Sequence, residues 1–187
     1  MTAPTIRWTI RDLEVMPDDG GGKRYEIIDG LLIVTRAPRF RHQDVASNIH
    51  FELMAWSRRT NLGKAVQAPG VVFSEIDAVI PDVVWASHGR IESGLDAAEH
   101  FVIAPELVVE VLSEGTRDQQ RDREIKRKLY SLYGVEEYWI ANWQMSILEV
   151  YRRQDDQLEL VVRLSGEDRL ISPLLPGFEC AIASIFR

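Results

Sequence analysis

The sequence predicts an α/β protein built on a mixed β-sheet flanked by helices. Strand-length apolar runs alternate with two amphipathic helical segments in the order strands, helix, strands, helix, strands. A near-continuous aliphatic run at Leu107 to Leu112 is too short for a helix and reads as a strand buried on both faces. At 187 residues and 45% hydrophobic composition the chain suits one domain, residues 1–187, with residues 1–23 as an N-terminal extension.

The extension closes with a polar, Gly-rich stretch at Asp18 to Gly22. From Arg24 to Val34 two short apolar runs flank Asp29-Gly30, a dipeptide suited to a hairpin turn. Residues 42 to 60 place Val45, Ile49, Leu53 and Trp56 three or four apart, the spacing of an amphipathic helix. Residues 71 to 85 read as paired strands with Asp77 at the turn, and Ser87 to Ala104 as a polar link. A second helix is expected up to Tyr133, with Ser113 and Thr116 as candidate caps and Gly134 as its stop. Its apolar stripe is Ile125, Leu129, Leu132 and Tyr133. Glu137 to Ala141, Ile147 to Tyr151 and Leu158 to Leu164 follow as strands, and a Pro-rich segment leads to the end.

Composition narrows the function classes. One cysteine, Cys180, excludes an internal disulfide and a cysteine zinc site and suits a reducing cytoplasm. No segment approaches the roughly 20 apolar residues of a membrane helix, and the start lacks a signal peptide's apolar stretch, so no membrane partner is expected. With 22 Lys+Arg against 29 Asp+Glu the net charge is −7, the wrong sign for a nonspecific nucleic-acid coat. It is compatible with a nuclease, whose metal site gathers carboxylates.

Two acids interrupt the most apolar segments. Asp82 lies in Val79 to Trp85 on the same expected strand face as Ile80 and Val84, and Glu110 shares a face with Val108 and Leu112. A buried carboxylate is costly unless paired, neutralised or bound to a cation. A salt bridge for each would suffice, and one divalent cation would serve both. Oxygen-only ligation favours Mg²⁺ or Mn²⁺. Phosphodiester hydrolysis also calls for a group that orients water or offsets charge, and the helix after Glu110 offers Lys126 and Lys128. At about 100° per residue they flank the expected stripe on opposite sides, so helical geometry leaves both open.

Pro81-Asp82, Glu106 to Ser113 with Thr116, and Asp122-x-x-x-Lys126-x-x-x-Tyr130-x-x-x-Gly134-Val135-x-Glu137-Tyr138-Trp139-Ile140 together resemble the signature of the Uma2 family of bacterial endonucleases. Tyr25-Glu26-x-Ile28-x-Gly30, His42 and Ser172 to Phe178 extend the likeness over nearly the whole chain from Tyr25. The resemblance implies a restriction-endonuclease-like fold of the PD-(D/E)xK superfamily, with Asp82, Glu110 and Lys126 as catalytic residues. It implies metal ligation by Asp82, Glu110 and Glu26, and accessory positions at His42 and Asp122. Asp122, one turn before Lys126, also suits an i,i+4 ion pair with it. The chain departs from the superfamily pattern at Leu112, where the lysine would follow Glu110, and the family-like arrangement moves that lysine to Lys126 on the helix.

The expected function is thus a Mg²⁺- or Mn²⁺-dependent endonuclease acting on nucleic acid, DNA in the first instance, in the bacterial cytoplasm, with a homodimer as the assembly left open. The alternative is a catalytically silent nuclease-fold module serving binding or regulation in a defence or mobile-element context. A carboxylate-pair glycosidase would have no need of Lys126. Arg117, Arg121, Arg123, Arg127 and Lys128 are expected to form a basic rim near the site, and Tyr138 and Trp139 to be strand core.

Overall fold

A computed structural model describes residues 6–16 and 22–187; most of the Gly-rich Asp18 to Gly22 stretch lies outside the described residues. Helix α1 (Ile10–Glu14) precedes the hairpin β1 (Arg24–Ile28) and β2 (Leu31–Thr35). Positive φ at both Asp29 and Gly30, 49° and 71°, makes this the tight turn expected from Asp-Gly. The described part of the N-terminal segment is tied to this region: Trp8 N–H donates to the Gly30 carbonyl and Ile10 N–H to that of Glu75.

Helix α2 (Phe40–Thr60) is followed by β3 (Gly63–Gln67), β4 (Val71–Ser74), β5 (Asp77–Val79) and β6 (Val83–Ser87). Helix α3 (His88–Gly94) then leads to β7 (Leu107–Val111). A continuous helical stretch comprises α4 (Thr116–Gln120), a π-helical turn (Arg121–Lys126) and α5 (Arg127–Leu132). Strands β8 (Glu137–Asn142), β9 (Ile147–Gln154), β10 (Gln157–Ser165), β11 (Arg169–Ile171) and β12 (Glu179–Ala181) precede α6 (Ile182–Ile185).

The central sheet has the order β10-β9-β8-β7-β6-β3. Its pairs are antiparallel except β7 with β8, which run parallel, so the sheet is mixed as expected. The parallel pair requires a long crossover, which the α4–α5 stretch provides. A smaller antiparallel sheet has the order β2-β1-β5-β4. Two apolar clusters cover opposite faces of the central sheet. On one face Val45, Ile49, Leu53 and Trp56 of α2 and Phe178, Ile182 and Ile185 of the C-terminal segment pack on Trp85, Leu107, Val109, Val111 and Trp139. On the other, Leu129 and Tyr130 of α5 and Ile28, Val71 and Val79 of the small sheet pack on Val84, Val108, Leu112, Tyr138 and Ile140. Strand β7 therefore lies between two apolar layers, which is why its sequence runs aliphatic without alternation.

Several expectations are corrected. The turn between β4 and β5 is Glu75-Ile76, and Asp77 opens β5. Its buried carboxylate accepts from the Asp29 N–H, Ser74 Oγ and Tyr133 Oη, so it staples the small sheet to α5. The polar link after Ser87 contains α3, capped by Ser87. Strand β3 carries no apolar pattern; it pairs with β6 at the sheet edge, where a Cβ on Gly63 would stand 2.2 Å from the Ala86 carbonyl oxygen. The N-cap of α4 is Gly115, and neither Ser113 nor Thr116 caps it.

The apolar stripe of the second helix is also displaced. Ile125 and Leu132 are 47% and 75% exposed, whereas Asp122, Lys126, Leu129 and Tyr130 are buried. The inward face is half polar because it meets an acidic cluster, and periodicity of apolar residues alone tracks the wrong face.

Candidate active site

The site forms where β5 gives way to β6. Pro81 has no N–H to donate to a ladder, which breaks the strand between Val79 and Val83 and leaves Asp82 at the corner, outside the strand assigned to it from sequence. Val83 pairs with Val109, so Asp82 stands one step before that pair, where the same register reaches Glu110. Instead of a backbone partner, the Val111 N–H finds the Asp82 side chain: Oδ2 accepts it at 2.8 Å. The carboxylate also meets His42 Nε2 at 3.2 Å and Arg24 Nη1 at 3.3 Å.

Glu110 projects from the middle of β7, on the face shared by Val108 and Leu112. Its Oε1 accepts from Lys126 Nζ at 2.8 Å and from Tyr130 Oη at 2.7 Å. Lys126 Nζ also donates to Glu26 Oε1 at 2.9 Å, and the same oxygen accepts the Ile80 N–H at 2.9 Å. Glu26, Glu110 and Lys126 are each under 5% exposed, so this lysine bridges two acids from different sheets away from water. Lys128 faces solvent. The choice that helical geometry left open is decided by which face of the helix meets the acids.

The π-helical turn contributes to that placement. It ends at Lys126, and the buried Tyr138 hydroxyl donates to the main-chain carbonyl of Asp122 within it. Asp122 is buried, but among the described residues it makes no ion pair with Lys126; its nearest cation is Arg121, Nε to Oδ1 at 3.5 Å. Asp122 Oδ1, His42 Nδ1 and Arg121 Nε are buried polar atoms without a hydrogen-bond partner.

Ionisation follows from burial and crowding. Burial pushes the Glu110 carboxyl up to about 8, aided by Asp82, Asp122 and Glu26 and opposed by Lys126. Burial likewise lifts Asp122 to about 6 against the pull of Lys126 and Arg121. Burial works against charge on Lys126, but Glu110 and Glu26 outweigh it and hold the ammonium well above its ordinary range. Asp82 is held below the usual carboxylate range because its bonds to His42 and the Val111 N–H overcome its desolvation. His42 is correspondingly raised, its bond to Asp82 outweighing burial.

All five residues expected from sequence besides Lys126, namely Asp82, Glu110, Glu26, His42 and Asp122, line one cavity of about 60 Å³ with Lys126. That is room for a few water molecules, at roughly 10–15 Å³ each. The sequence assigned no role to Arg24 and Tyr130, and placed Arg121 only in the basic rim. Only Tyr130 carried a signal, its position one turn after Lys126. His42, near the start of α2, is 7% exposed and so belongs to the buried site and not to a solvated helix end. The expected basic rim is dispersed: Arg123 pairs with Glu149, Arg127 donates to the Leu158 carbonyl and Arg121 pairs with Asp118. Glu137 and Glu149 are buried strand acids too, but Arg152 and Arg123 satisfy them and neither lines the cavity.

A divalent cation can be tested against this set. Among the described residues no three His, Cys, Asp or Glu side chains stand as a ready ligand shell. Lys126 Nζ holds the position between Glu26 and Glu110. The donors nevertheless fit in kind: the carboxylates of Glu26, Asp82, Glu110 and Asp122 all line the cavity, and Asp122 Oδ1 accepts no hydrogen bond. Such a set matches an oxygen-preferring ion such as Mg²⁺ or Mn²⁺.

A mixed central sheet flanked by helices, with a buried acid-acid-lysine set at its strand break, belongs to the restriction-endonuclease-like class of α/β folds. The Uma2 family model, described as "Putative restriction endonuclease", matches residues 10–183, and the chain belongs to that family. The crystal structure of a "putative nuclease belonging to DUF820" from Anabaena variabilis shares the fold, with a TM-score of 0.74 at 20% identity over 95% of this chain and 97% of that one. The type IIG restriction endonuclease BpuSI aligns over 78% of this chain and 15% of its own at 13% identity, and its TM-score of 0.40 bears on neither fold nor function. No curated protein matches the chain. Among the described residues no helix is long and apolar enough to cross a membrane.

Proposed function

We propose that the protein is a divalent-metal-dependent endonuclease that hydrolyses phosphodiester bonds of nucleic acid, with DNA as the polymer and Mg²⁺ or Mn²⁺ as the ion. The observation that carries this reading is the buried convergence of Glu26, Glu110 and Lys126 beside Asp82 in one cavity that opens to solvent. Family membership supports the reaction class.

In this reading Asp82 and Glu110 hold the ion, with Glu26 beside them and Asp122 as a further acceptor. A bound divalent cation supplies Lewis acidity toward the scissile phosphate and lowers the pKa of the attacking water. Lys126 remains charged and orients that water or offsets the negative charge that develops on the phosphoryl oxygens. Tyr130 and the Val111 N–H fix Glu110 and Asp82 in place, so the carboxylates need little rearrangement. Arg24 and Arg121 line the same cavity and suit phosphate contact.

The test is cleavage of plasmid and single-stranded DNA with Mg²⁺, with Mn²⁺ and with chelator, for wild type, Asp82→Asn and Glu110→Gln. Metal-dependent cleavage lost in both variants is expected. Tight polynucleotide binding by a wild-type protein inactive under every ion would favour the silent module instead.

A further inference from the structure

A second cavity of about 420 Å³ adjoins the site, within the roughly 300–1,000 Å³ that small ligands occupy. Thr35, Arg36, Pro38, His42 and Ser113 line both cavities, so the two are continuous. One wall is the β2–α2 link, and the other is the segment after β7 together with Trp143.

Three features of this cleft are chemically specific. Arg36 is exposed and stands where the cavities meet, and among the described residues it has no hydrogen bond or ion pair. Three other charged residues around the large cavity have ion-pair partners: Arg39 pairs with Glu114 at 2.6 Å, and Asp118 with Arg121 of the small cavity at 2.9 Å. Trp143 lines the cleft while packing against the core, and its indole N–H is held by the Leu112 carbonyl at 2.9 Å. A cation with no partner among the described residues, in the same cleft as an indole held in orientation, matches the phosphate and the base of one nucleotide.

Resting on the nuclease reading, we propose that this cleft binds a single unpaired nucleotide adjoining the scissile bond, so that the substrate chain enters as a single strand. Arg36 contacts its phosphate, and Trp143 offers the base a stacking face. A volume of about 420 Å³ suits one nucleotide and not a stacked duplex. Base stacking on an aromatic side chain and phosphate contact by a cation are the general means of holding single strands without regard to sequence.

The experiment titrates short oligodeoxyuridylate and oligouridylate, which differ only in the sugar, into the full-length protein with chelator present, reading tryptophan fluorescence, for wild type, Trp143→Phe, Trp143→Ala and Arg36→Ala. Arg36 is exposed and has no partner among the described residues, so its variant is expected to fold as wild type does, and circular dichroism checks all three variants. The proposal expects quenching in wild type that disappears in Trp143→Phe, and affinity roughly 5- to 100-fold weaker in Trp143→Ala. Arg36→Ala should flatten the slope of log affinity against log salt by about 0.7, the value for one phosphate on a single strand. Equal response to both oligonucleotides means that the cleft reads no sugar, and preference for one assigns the polymer; either outcome supports the site. Binding unchanged in all three variants overturns it, as does tighter binding of an equivalent duplex. Binding that follows these rules without metal-dependent cleavage would keep the cleft and sink the nuclease reading, and cleavage indifferent to Trp143 and Arg36 would do the reverse.

Discussion

Lys126 Nζ lies 2.8 Å from Glu110 Oε1 and both groups are buried, so the lysine serves as the counter-ion of the acid in the metal-free protein. The same lysine bonds Glu26. Its loss therefore affects stability as well as chemistry, which separates it from its neighbour two residues on.

Lys126→Ala is expected to abolish metal-dependent cleavage and to destabilise the metal-free protein by about 3–5 kcal/mol, because two acids lose their cation. Lys128→Ala, at an exposed position, should stay within about 0.5 kcal/mol of wild type and keep its activity. Urea denaturation with and without Mn²⁺ provides a further readout. If the acids bind the ion, added Mn²⁺ should recover more stability in Lys126→Ala than in wild type.

Asp82 is compensated by His42, Arg24 and the Val111 N–H. Asp82→Asn therefore relieves no unpaired charge. The substitution should cost about 1.5–3 kcal/mol, the scale of a charge-assisted hydrogen bond, without unfolding the protein. Calorimetric titration should show weakened Mn²⁺ binding, and unchanged affinity would remove Asp82 from the ligand set.

Tyr130→Phe deletes the hydroxyl that donates to Glu110 Oε1. A loss of about 0.5–1.5 kcal/mol is expected, the net worth of a buried hydrogen bond, because Glu110 keeps its proton up to about 8. Thermal or urea unfolding checks this, and a neutral result would mean that Lys126 alone satisfies Glu110.

Stability of the metal-free protein should fall as pH rises from mildly acid to mildly alkaline values. Glu110 moves from 4.5 to about 8 on folding, so the native state binds more protons across that window and loses stability as they leave. His42 is raised above 6.5, and its contribution is complete below that value and lost as pH rises through its folded pKa. Asp82, lowered from 3.8, acts oppositely and only at acid pH, contributing above 3.8 and failing as pH falls through its folded value. Urea midpoints across pH should show Glu110→Gln flattening the neutral-range decline and His42→Gln flattening its upper part. A decline unchanged in both variants would assign it to other groups.

The α/β class was legible because strand and helix periods are local properties. Val45, Ile49, Leu53 and Trp56 needed only their spacing to define the core face of α2. The aliphatic run of β7 needed only its length, and Asp29-Gly30 its tolerance of positive φ. Asp82 and Glu110 stood out because an acid among aliphatic neighbours demands a partner wherever the chain places it. Which partner it finds depends on residues far apart in sequence. Lys126 meets Glu26 across 100 positions, and Arg24 meets Asp82 across 58. Those contacts form only when the small sheet packs beside β7 and the helix turns its polar face inward. Apolar periodicity assigns that face to Ile125 and Leu132, because the spacing of apolar residues carries no record of the acidic cluster that lies opposite. The sequence by itself therefore determined the elements and the need for a counter-charge, and its family-like spacing pointed to Lys126 and His42, while the tertiary structure decided which acids they meet and which arginines join them, since long-range electrostatic pairing has no local pattern.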